Sequence, residues 1–236
     1  ASTQRWGKIG RSFLRALSER QYSSDNSQDL TPPISLCLRE WARLITTGRP
    51  RPIASIANKP ADVVIFTDGF FPNPDRNEFG EARVGGVMFD RCRSHPMTFT
   101  LVIKESMMVH WLPRKTQISM VEMFAPILAI EFLGEAIRGK AVLFFVDSEP
   151  VEGALVKGYS ARDDICELTS VFWQLVCDLD IDSYIDRVST DANIADGPSR
   201  DDPEFWAMAK ALHWAILDTW VPDYLDPERS NKGLGV

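Results

Sequence analysis

The chain has 236 residues, 44% of them hydrophobic and 25% charged, which is enough for one sizeable core and an appendage. It contains no run of about eighteen uninterrupted apolar residues, and its first residues lack the apolar centre of a secretory signal. We therefore expect an intracellular protein, cytoplasmic or nuclear, that is neither secreted nor inserted in a membrane. Its four cysteines and three histidines are scattered, so zinc has no obvious set of ligands.

The formal charge of −7 is unevenly distributed along the chain. Residues 1–59 hold 10 Lys or Arg against 4 Asp or Glu, a net +6, whereas the remainder holds 16 against 29, a net −13. A basic N-terminal arm could contact phosphates, although a solvated helix face explains the same charges. We expect three parts: a basic helical N-terminal extension over 1–59, a principal domain over 60–202, and a C-terminal aromatic helix and tail over 203–236.

The N-terminal part predicts two helices joined by a linker. Residues 1–20 place apolar side chains at helical spacing among basic ones, and 34–46 repeat that spacing. The segment 22–29 between them is polar and precedes a Thr-Pro-Pro sequence, which favours an extended backbone and a new element.

The next segment predicts a meander of three strands, over 62–69, 82–90 and 97–106. The connection from 70 to 81, rich in Pro, Asn and Gly, is long for a hairpin and indicates an insertion. Helices and strands then alternate: an amphipathic helix begins near Ser119, a strand follows over 141–147, a helix over 163–179, a strand over 183–189, and an aromatic helix over 203–220. Pro126 predicts a bend in the first of these helices. The last helix is expected to pack on the N-terminal segment or on a partner.

Four carboxylates lie at strand ends or helix starts. Asp68 closes the first strand, and Asp147 closes a later apolar run of the same kind. Glu122 lies at the start of a helix, and Asp196 lies in the turn-rich segment 193–200. Carboxylates brought together would repel one another unless cations neutralised them, and hard divalent ions are suitable counter-ions.

Each acid also has a structural explanation. Asp68 and Asp147 could be turn residues, and Asp196 could cap a short helix. The spacing of Ser119 and Glu122 is that of a capping box, in which both side chains would bind backbone N–H groups.

Residues 60–202 resemble a ribonuclease H domain, most like those that follow the polymerase in retroelement reverse transcriptases. The resemblance is carried, in order, by Thr67-Asp68-Gly69, Val84-Gly85-Gly86-Val87-Met88, Glu122, Val146-Asp147-Ser148, and Asn193-Ile194-Ala195-Asp196 with Ser199-Arg200. It implies an α/β fold with an RNase H-like mixed five-stranded sheet flanked by helices, with extra helices at both ends of the chain. In such relatives the N-terminal part would resemble a polymerase-derived tail.

The resemblance implies a metal-dependent endonuclease that hydrolyses the RNA strand of RNA/DNA hybrids. Two Mg²⁺ or Mn²⁺ ions would be held by the four acids, Asp68, Glu122, Asp147 and Asp196. Substrate contacts are expected from Gln117, Ser119, Arg187 and Asn193. Because residue 1 is alanine, we expect a piece of a retroelement polyprotein with a linked or associated reverse transcriptase polymerase domain.

Two other functions remain open. A domesticated, noncatalytic RNase H-like module could bind nucleic acid or serve as an assembly scaffold. Many active relatives carry a histidine in the loop before the last helix, where this chain has Arg187, which stays protonated and predicts slow turnover. A transposase or integrase core is the third possibility, disfavoured by the aspartate in the 193–196 motif, because those enzymes usually end their acid set with a glutamate.

Overall fold

The fold is that of a computed structural model, which describes residues 8, 10–24, 29–47, 60–73, 75, 77–109 and 111–225. Its α-helices are α1 (Arg11–Tyr22), α2 (Pro32–Thr47), α3 (Glu105–Met108), α4 (Ile118–Ile137), α5 (Glu149–Lys157), α6 (Asp163–Asp178), α7 (Asp196–Ser199) and α8 (Pro203–Ala211). Its strands are β1 (Val63–Phe70), β2 (Arg83–Asp90), β3 (Met97–Val102), β4 (Ala141–Val146), β5 (Asp182–Arg187) and β6 (Ala215–Ile216). No helix among these residues has both the length and the apolar content to cross a membrane.

All six strands belong to one mixed sheet, in the order β5-β4-β1-β2-β3-β6. The β1–β2 and β2–β3 pairs are antiparallel, whereas β1–β4, β4–β5 and β3–β6 are parallel. This confirms the predicted α/β class, with a mixed sheet flanked by helices and additional helices at both ends. The sheet has six strands rather than five because the two-residue β6 pairs with the edge of β3.

One face of the sheet is covered by α4, which also packs against α6. Thirteen of its 20 residues are buried, so α4 is enclosed on several sides and lacks the single apolar face that we predicted. Pro126 lies inside the helix as expected. Its ring replaces the N–H that would otherwise donate to the Glu122 carbonyl one turn earlier.

Two glycines let other elements approach the centre of the sheet. A Cβ atom at Gly69 would lie 2.5 Å from the backbone nitrogen of Glu122, and one at Gly85 would lie 2.4 Å from that of Ser199. Because side chains alternate along a strand, Gly69 faces α4 and Asp68 faces the opposite side, towards α7. The glycines therefore set the positions of α4 and α7 against the strands.

Replacing Gly69 by alanine is expected to lower the free energy of unfolding by about 1–3 kcal/mol, because backbone atoms of α4 must move to admit the methyl group. Chemical denaturation measures the change. Gly153→Ala is the matched control: it lies in α5 with nothing within 4 Å of the added Cβ, so it should stabilise by about 0.5–1 kcal/mol. Equal effects of the two substitutions would contradict this close-approach account.

The predicted C-terminal helix over 203–220 is wrong in its length. Asp202 caps α8, its Oδ1 atom accepting from the Glu204 N–H at 3.0 Å, but the helix ends at Ala211 and His213 is left-handed, with φ 56°. The chain then pairs with β3. Among the described residues, Phe205, together with Trp206 and Trp214, packs against Val87 of β2 rather than against the N-terminal helices, and packing on a partner stays a prediction.

The predicted end of β3 differs as well. β3 ends at Val102 rather than at residue 106, because the Ile103 N–H makes the last ladder bond, to the Ala82 carbonyl, before α3 begins. At the N-terminus α1 packs against α2 and α6, and Arg15 pairs with Asp163 at 2.8 Å. Residues 1–7 of the first predicted helix and 25–28 of the predicted linker lie outside the described residues. The division into three parts stays a prediction.

Candidate active site

The strand register brings two of the predicted acids to one row of the sheet. In the parallel β1–β4 pair, Val64 lies beside Leu143 and Phe66 beside Phe145. The same register, continued by two residues, aligns Asp68 with Asp147, which directly follows β4. Asp68 is 6% exposed, so its carboxylate has lost most of its contact with water.

Burial, together with the negative charges of Asp147 and Asp196, raises the pKa of Asp68 to about 6. A hydrogen bond from the Ser199 hydroxyl opposes this shift. The pKa of Asp147 is raised first by burial and then by Asp196, against hydrogen bonds from its own backbone N–H and from the Thr190 side chain. Like charges and partial desolvation together produce this pattern.

Glu122 reaches the same group of acids from α4. Burial, together with the charges of Asp147 and Asp68, raises its pKa to about 7, although a hydrogen bond with the Ser148 side chain opposes the shift. The capping-box alternative is wrong, because α4 begins at Ile118 with Gln117 rather than Ser119 as its N-cap residue, and the Gln117 side chain makes no capping hydrogen bond. Ser119 lies inside that turn and is partly exposed.

Asp196 is the first residue of α7, on the same side of the sheet as Asp68. Its Oδ1 atom accepts a hydrogen bond from Arg200 Nε at 2.6 Å. Its charge acts on both Asp68 and Asp147. The structure thus places the four predicted acids, from four separate elements, within electrostatic reach of one another.

The predicted substrate residues have different surroundings. Asn193 is 4% exposed and joins β1 to the α7 turn: its Nδ2 atom donates to the Thr67 carbonyl at 3.1 Å, and its Oδ1 atom accepts from the Ala195 N–H at 3.2 Å. Gln117 is also held within the chain, since its Oε1 atom accepts from Arg114 and its Nε2 atom donates to a backbone carbonyl, both at 3.0 Å. Both amides already have partners inside the protein.

Arg187 is the last residue of β5 and makes its ion pairs with a neighbouring helix. It is paired in register with Val146, a side chain 2% exposed in the helix-covered core. Its guanidinium lies 3.6 Å from Glu149 and 4.0 Å from Glu152, both on α5. The contacts of Arg187 are therefore with α5 rather than with the four acids.

Sequence reasoning omitted four polar residues from the site: Ser148, Thr190, Ser199 and Arg200. The first three give hydroxyl hydrogen bonds to the acids, and the last pairs with Asp196. Ser199 and Arg200 were part of the motif that carries the resemblance. Their order in the sequence was the available signal, whereas the partners of Ser148 and Thr190 depend on the fold alone.

The chemistry of the site fits hard divalent cations. Carboxylate oxygens are the ligands that Mg²⁺ and Mn²⁺ prefer, and burial together with the charges of neighbouring acids raises the pKa values of Asp68, Glu122 and Asp147. In the part of the chain that the structure describes, no group of three or more His, Cys, Asp or Glu is already arranged to hold a metal ion.

Replacing Ser199 by alanine is expected to raise the pKa of Asp68 by on the order of one unit, because a hydrogen bond to the charged form is lost. Carboxyl-carbon NMR titration without divalent ions measures this. Thr98→Val is the matched control: its buried hydroxyl donates to the Gly86 carbonyl at 3.0 Å, so the variant loses stability but leaves the Asp68 titration in place. An unshifted Asp68 in the Ser199 variant would contradict the assignment.

The solved structures that resemble this fold include two RNase H proteins. RNase H1 from the halophilic archaeon Halobacterium salinarum is 22% identical, with a TM-score of 0.43, over 59% of this chain and 98% of that one. The N-terminal RNase H domain of a Mycobacterium tuberculosis protein is 17% identical, with a TM-score of 0.43, over 64% and 99%. No protein-family model matches the chain, and no curated protein was found to match it. Likeness at this level carries no weight for activity.

Proposed function

We propose that the chain is a metal-dependent endonuclease that hydrolyses the RNA strand of RNA/DNA hybrids. The observation that supports this function best is the mutual interaction of Asp68, Glu122, Asp147 and Asp196 across four elements of the fold. Grouping like charges destabilises a folded protein, so a site built this way suits a cationic ligand. A purely structural role would not require it.

The four acids would hold two Mg²⁺ or Mn²⁺ ions. When bound, such ions supply an activated hydroxide and stabilise the leaving oxygen of a phosphodiester. Ser199, Ser148 and Thr190 would orient the carboxylates through their hydrogen bonds to Asp68, Glu122 and Asp147 respectively. Asn193 fixes the α7 turn to β1, and with it the position of Asp196.

We also propose that the chain is part of a retroelement reverse transcriptase polyprotein, with a linked or associated polymerase domain. The order of the motifs along the chain supports this context, as does the net charge of +6 over residues 1–59. A basic segment beside a nuclease domain would help to hold a polyanionic hybrid.

A noncatalytic nucleic-acid-binding module is the second candidate. The observation that favours it is the ion pair between Arg200 and Asp196, which neutralises one acid of the site without a metal ion. In a noncatalytic module, Asp68, Glu122 and Asp147 would take no part in a reaction.

A cleavage assay separates the two functions. Labelled RNA/DNA hybrid, duplex RNA and duplex DNA are incubated with Mg²⁺, Mn²⁺ or EDTA, using the wild type, Asp147→Asn and the control Asp62→Asn. Asp62 precedes β1 and lies about 20 Å along the strand from Asp68. The nuclease function predicts metal-dependent cleavage of the hybrid by the wild type and the control only. If all three proteins treat the hybrid equally, with or without metal ions, the nuclease function is wrong and the noncatalytic module is the better explanation.

A further inference from the structure

Arg200 lies at the edge of the acid group and is held there by three contacts. Its Nε atom donates to Asp196 at 2.6 Å, and its Nη1 atom lies 3.7 Å from the Glu78 carboxylate. Its guanidinium carbon lies 5.0 Å from the centre of the Phe70 ring. Since Phe70 ends β1 two positions after Asp68, these contacts place a fixed positive charge beside the site.

The Arg200 guanidinium is accessible to a ligand, and some of its N–H donors are not used by the contacts described above. The Arg200 side chain is 43% exposed, so a ligand can reach it. Arginine carries five N–H donors in a planar fork, and the contacts above use those on Nε and Nη1. A phosphate matches the outer edge of such a fork and can accept two parallel hydrogen bonds.

The acidic residues around Arg200 indicate that its positive charge acts on an anionic ligand such as a substrate phosphate. Asp68 attracts it as well as Asp196 and Glu78. A substrate phosphate that approaches the four acids would be repelled by any of them that a metal ion leaves uncompensated. A cation at this edge reduces that repulsion at the point where the substrate backbone enters.

We propose that Arg200 is a substrate-contacting residue whose guanidinium binds the backbone phosphate next to the scissile bond. The proposal rests on the proposed function in taking the substrate to be a nucleic acid. Phe70 and Asp196 hold the fork in place, while Glu78, in the long β1–β2 connection, competes with the phosphate for it. Removing the charge of Glu78 should therefore strengthen binding.

Binding is measured by fluorescence anisotropy of a labelled RNA/DNA hybrid in EDTA, over a range of salt concentrations. Arg200→Ala is expected to raise Kd about tenfold and to reduce the slope of log K against log salt by about 1. Arg200→Lys should restore the slope but only part of the affinity, because a lysine lacks the planar fork. Glu78→Gln should lower Kd severalfold.

A second measurement identifies the phosphate itself. Hybrids with a single neutral methylphosphonate are compared, with the substitution next to the cleavage site or several nucleotides away. The wild type should lose about tenfold in affinity at the first position, and Arg200→Ala should lose nothing further there. Arg138→Ala is the matched control. This exposed arginine pairs with Glu135 at 2.8 Å, at the end of α4 that is remote from Glu122. It should bind every hybrid as the wild type does.

Either of two outcomes would overturn the proposal: wild-type affinity and salt slope in Arg200→Ala, or an undiminished methylphosphonate effect in that variant. The second outcome would mean that Arg200 only positions Asp196. A misfolded Arg200→Ala protein is recognised by its circular dichroism, and Arg200→Lys and Glu78→Gln then decide. Failure of the proposed function is distinguished by the cleavage assay, because the hybrid would then stay uncut with Mg²⁺ whatever the binding measurements in EDTA show.

Discussion

Asp68→Asn is expected to lower hybrid cleavage at least about a hundredfold and, without divalent ions, to raise the free energy of unfolding at pH 8 by about 2 kcal/mol. The first effect follows because an amide is a poor ligand for a hard cation. The second follows because Asp68 is 6% exposed beside Asp147 and Asp196, and its pKa is raised to about 6. Asparagine keeps an oxygen that accepts from Ser199 but removes the repelling charge.

Steady-state cleavage rates and urea denaturation in EDTA measure the two effects on the same preparations. Asp62→Asn is again the control, because its Oδ2 atom only accepts a hydrogen bond from the Ala141 N–H, at 3.0 Å, at the other end of β1. It should change neither rate nor stability appreciably. An Asp68→Asn protein that is both less stable and inactive would point to a structural role for this carboxylate.

Without divalent ions, the free energy of unfolding is expected to fall by roughly 3 kcal/mol or more as the pH rises from about 5 to 8. The folded-state pKa values of Asp68 and Glu122 are about 6 and 7, above their ordinary values of 3.8 and 4.5. Between those values the folded chain keeps protons that the unfolded chain has released. Stability is therefore highest while the acids are protonated and is lost as the pH passes through the folded pKa values.

Two other acids act in the opposite direction but at lower pH. Burial opposes ionisation of Asp90 and Asp164, but hydrogen bonds and ion pairs with Lys140 and Arg114 outweigh it and lower both pKa values. Their contribution is lost only as the pH falls through those lowered values, below about 4. We therefore attribute the change in the free energy of unfolding between pH 5 and 8 to the acids of the site.

Urea denaturation across this window, in EDTA and with excess Mg²⁺, checks the prediction. Magnesium at a hundred times its Kd should restore about 2.7 kcal/mol at pH 8. The double variant Asp68→Asn with Glu122→Gln should show a nearly flat profile and little response to magnesium. A wild-type curve that rises from pH 5 to 8 would falsify the assignment of the raised pKa values.

The sequence predicted the central strands and the positions of the acids well, because these depend on local patterns. β1, β2 and α6 lie within one residue of their predicted bounds, since each has a continuous apolar run or a clear helical period. Asp147 directly follows β4 as predicted, whereas Asp68 lies two residues before the end of β1, so both acids lie near the carboxyl ends of their strands. The parallel register of β1 and β4 then brings them together.

The C-terminal aromatic segment could not be predicted from its period. Leu212, Trp214, Leu217 and Trp220 occur at spacings that suit a helix, but the chain uses them for contacts with distant residues. Trp214 packs edge-to-face on Phe89 of β2, and Trp220 does so on Phe132 of α4. Hydrogen bonds from the 215–217 backbone to β3 complete this arrangement. Such tertiary partners override a local helical preference and leave no trace in the local sequence.

The hydroxyl partners of the acids were beyond sequence reasoning for a similar reason. Ser148 follows Asp147 directly but interacts with Glu122, and Ser199 follows Asp196 by three residues but donates to Asp68. Which acid a nearby serine binds is decided by how α4 and α7 meet the sheet at Gly69 and Gly85.

The long-range pairing of β1 with β4 also has a consequence for synthesis of the chain. A nascent polypeptide that ends before residue 141 contains β1, β2, β3 and α4 but lacks β4 and α7. It can form the antiparallel meander and pack α4 on it, yet Asp68 and Glu122 then have no Asp147 or Asp196 to repel them. The repulsion from Asp147 and Asp196 therefore arises only when the second half of the domain leaves the ribosome, and the first half folds without it.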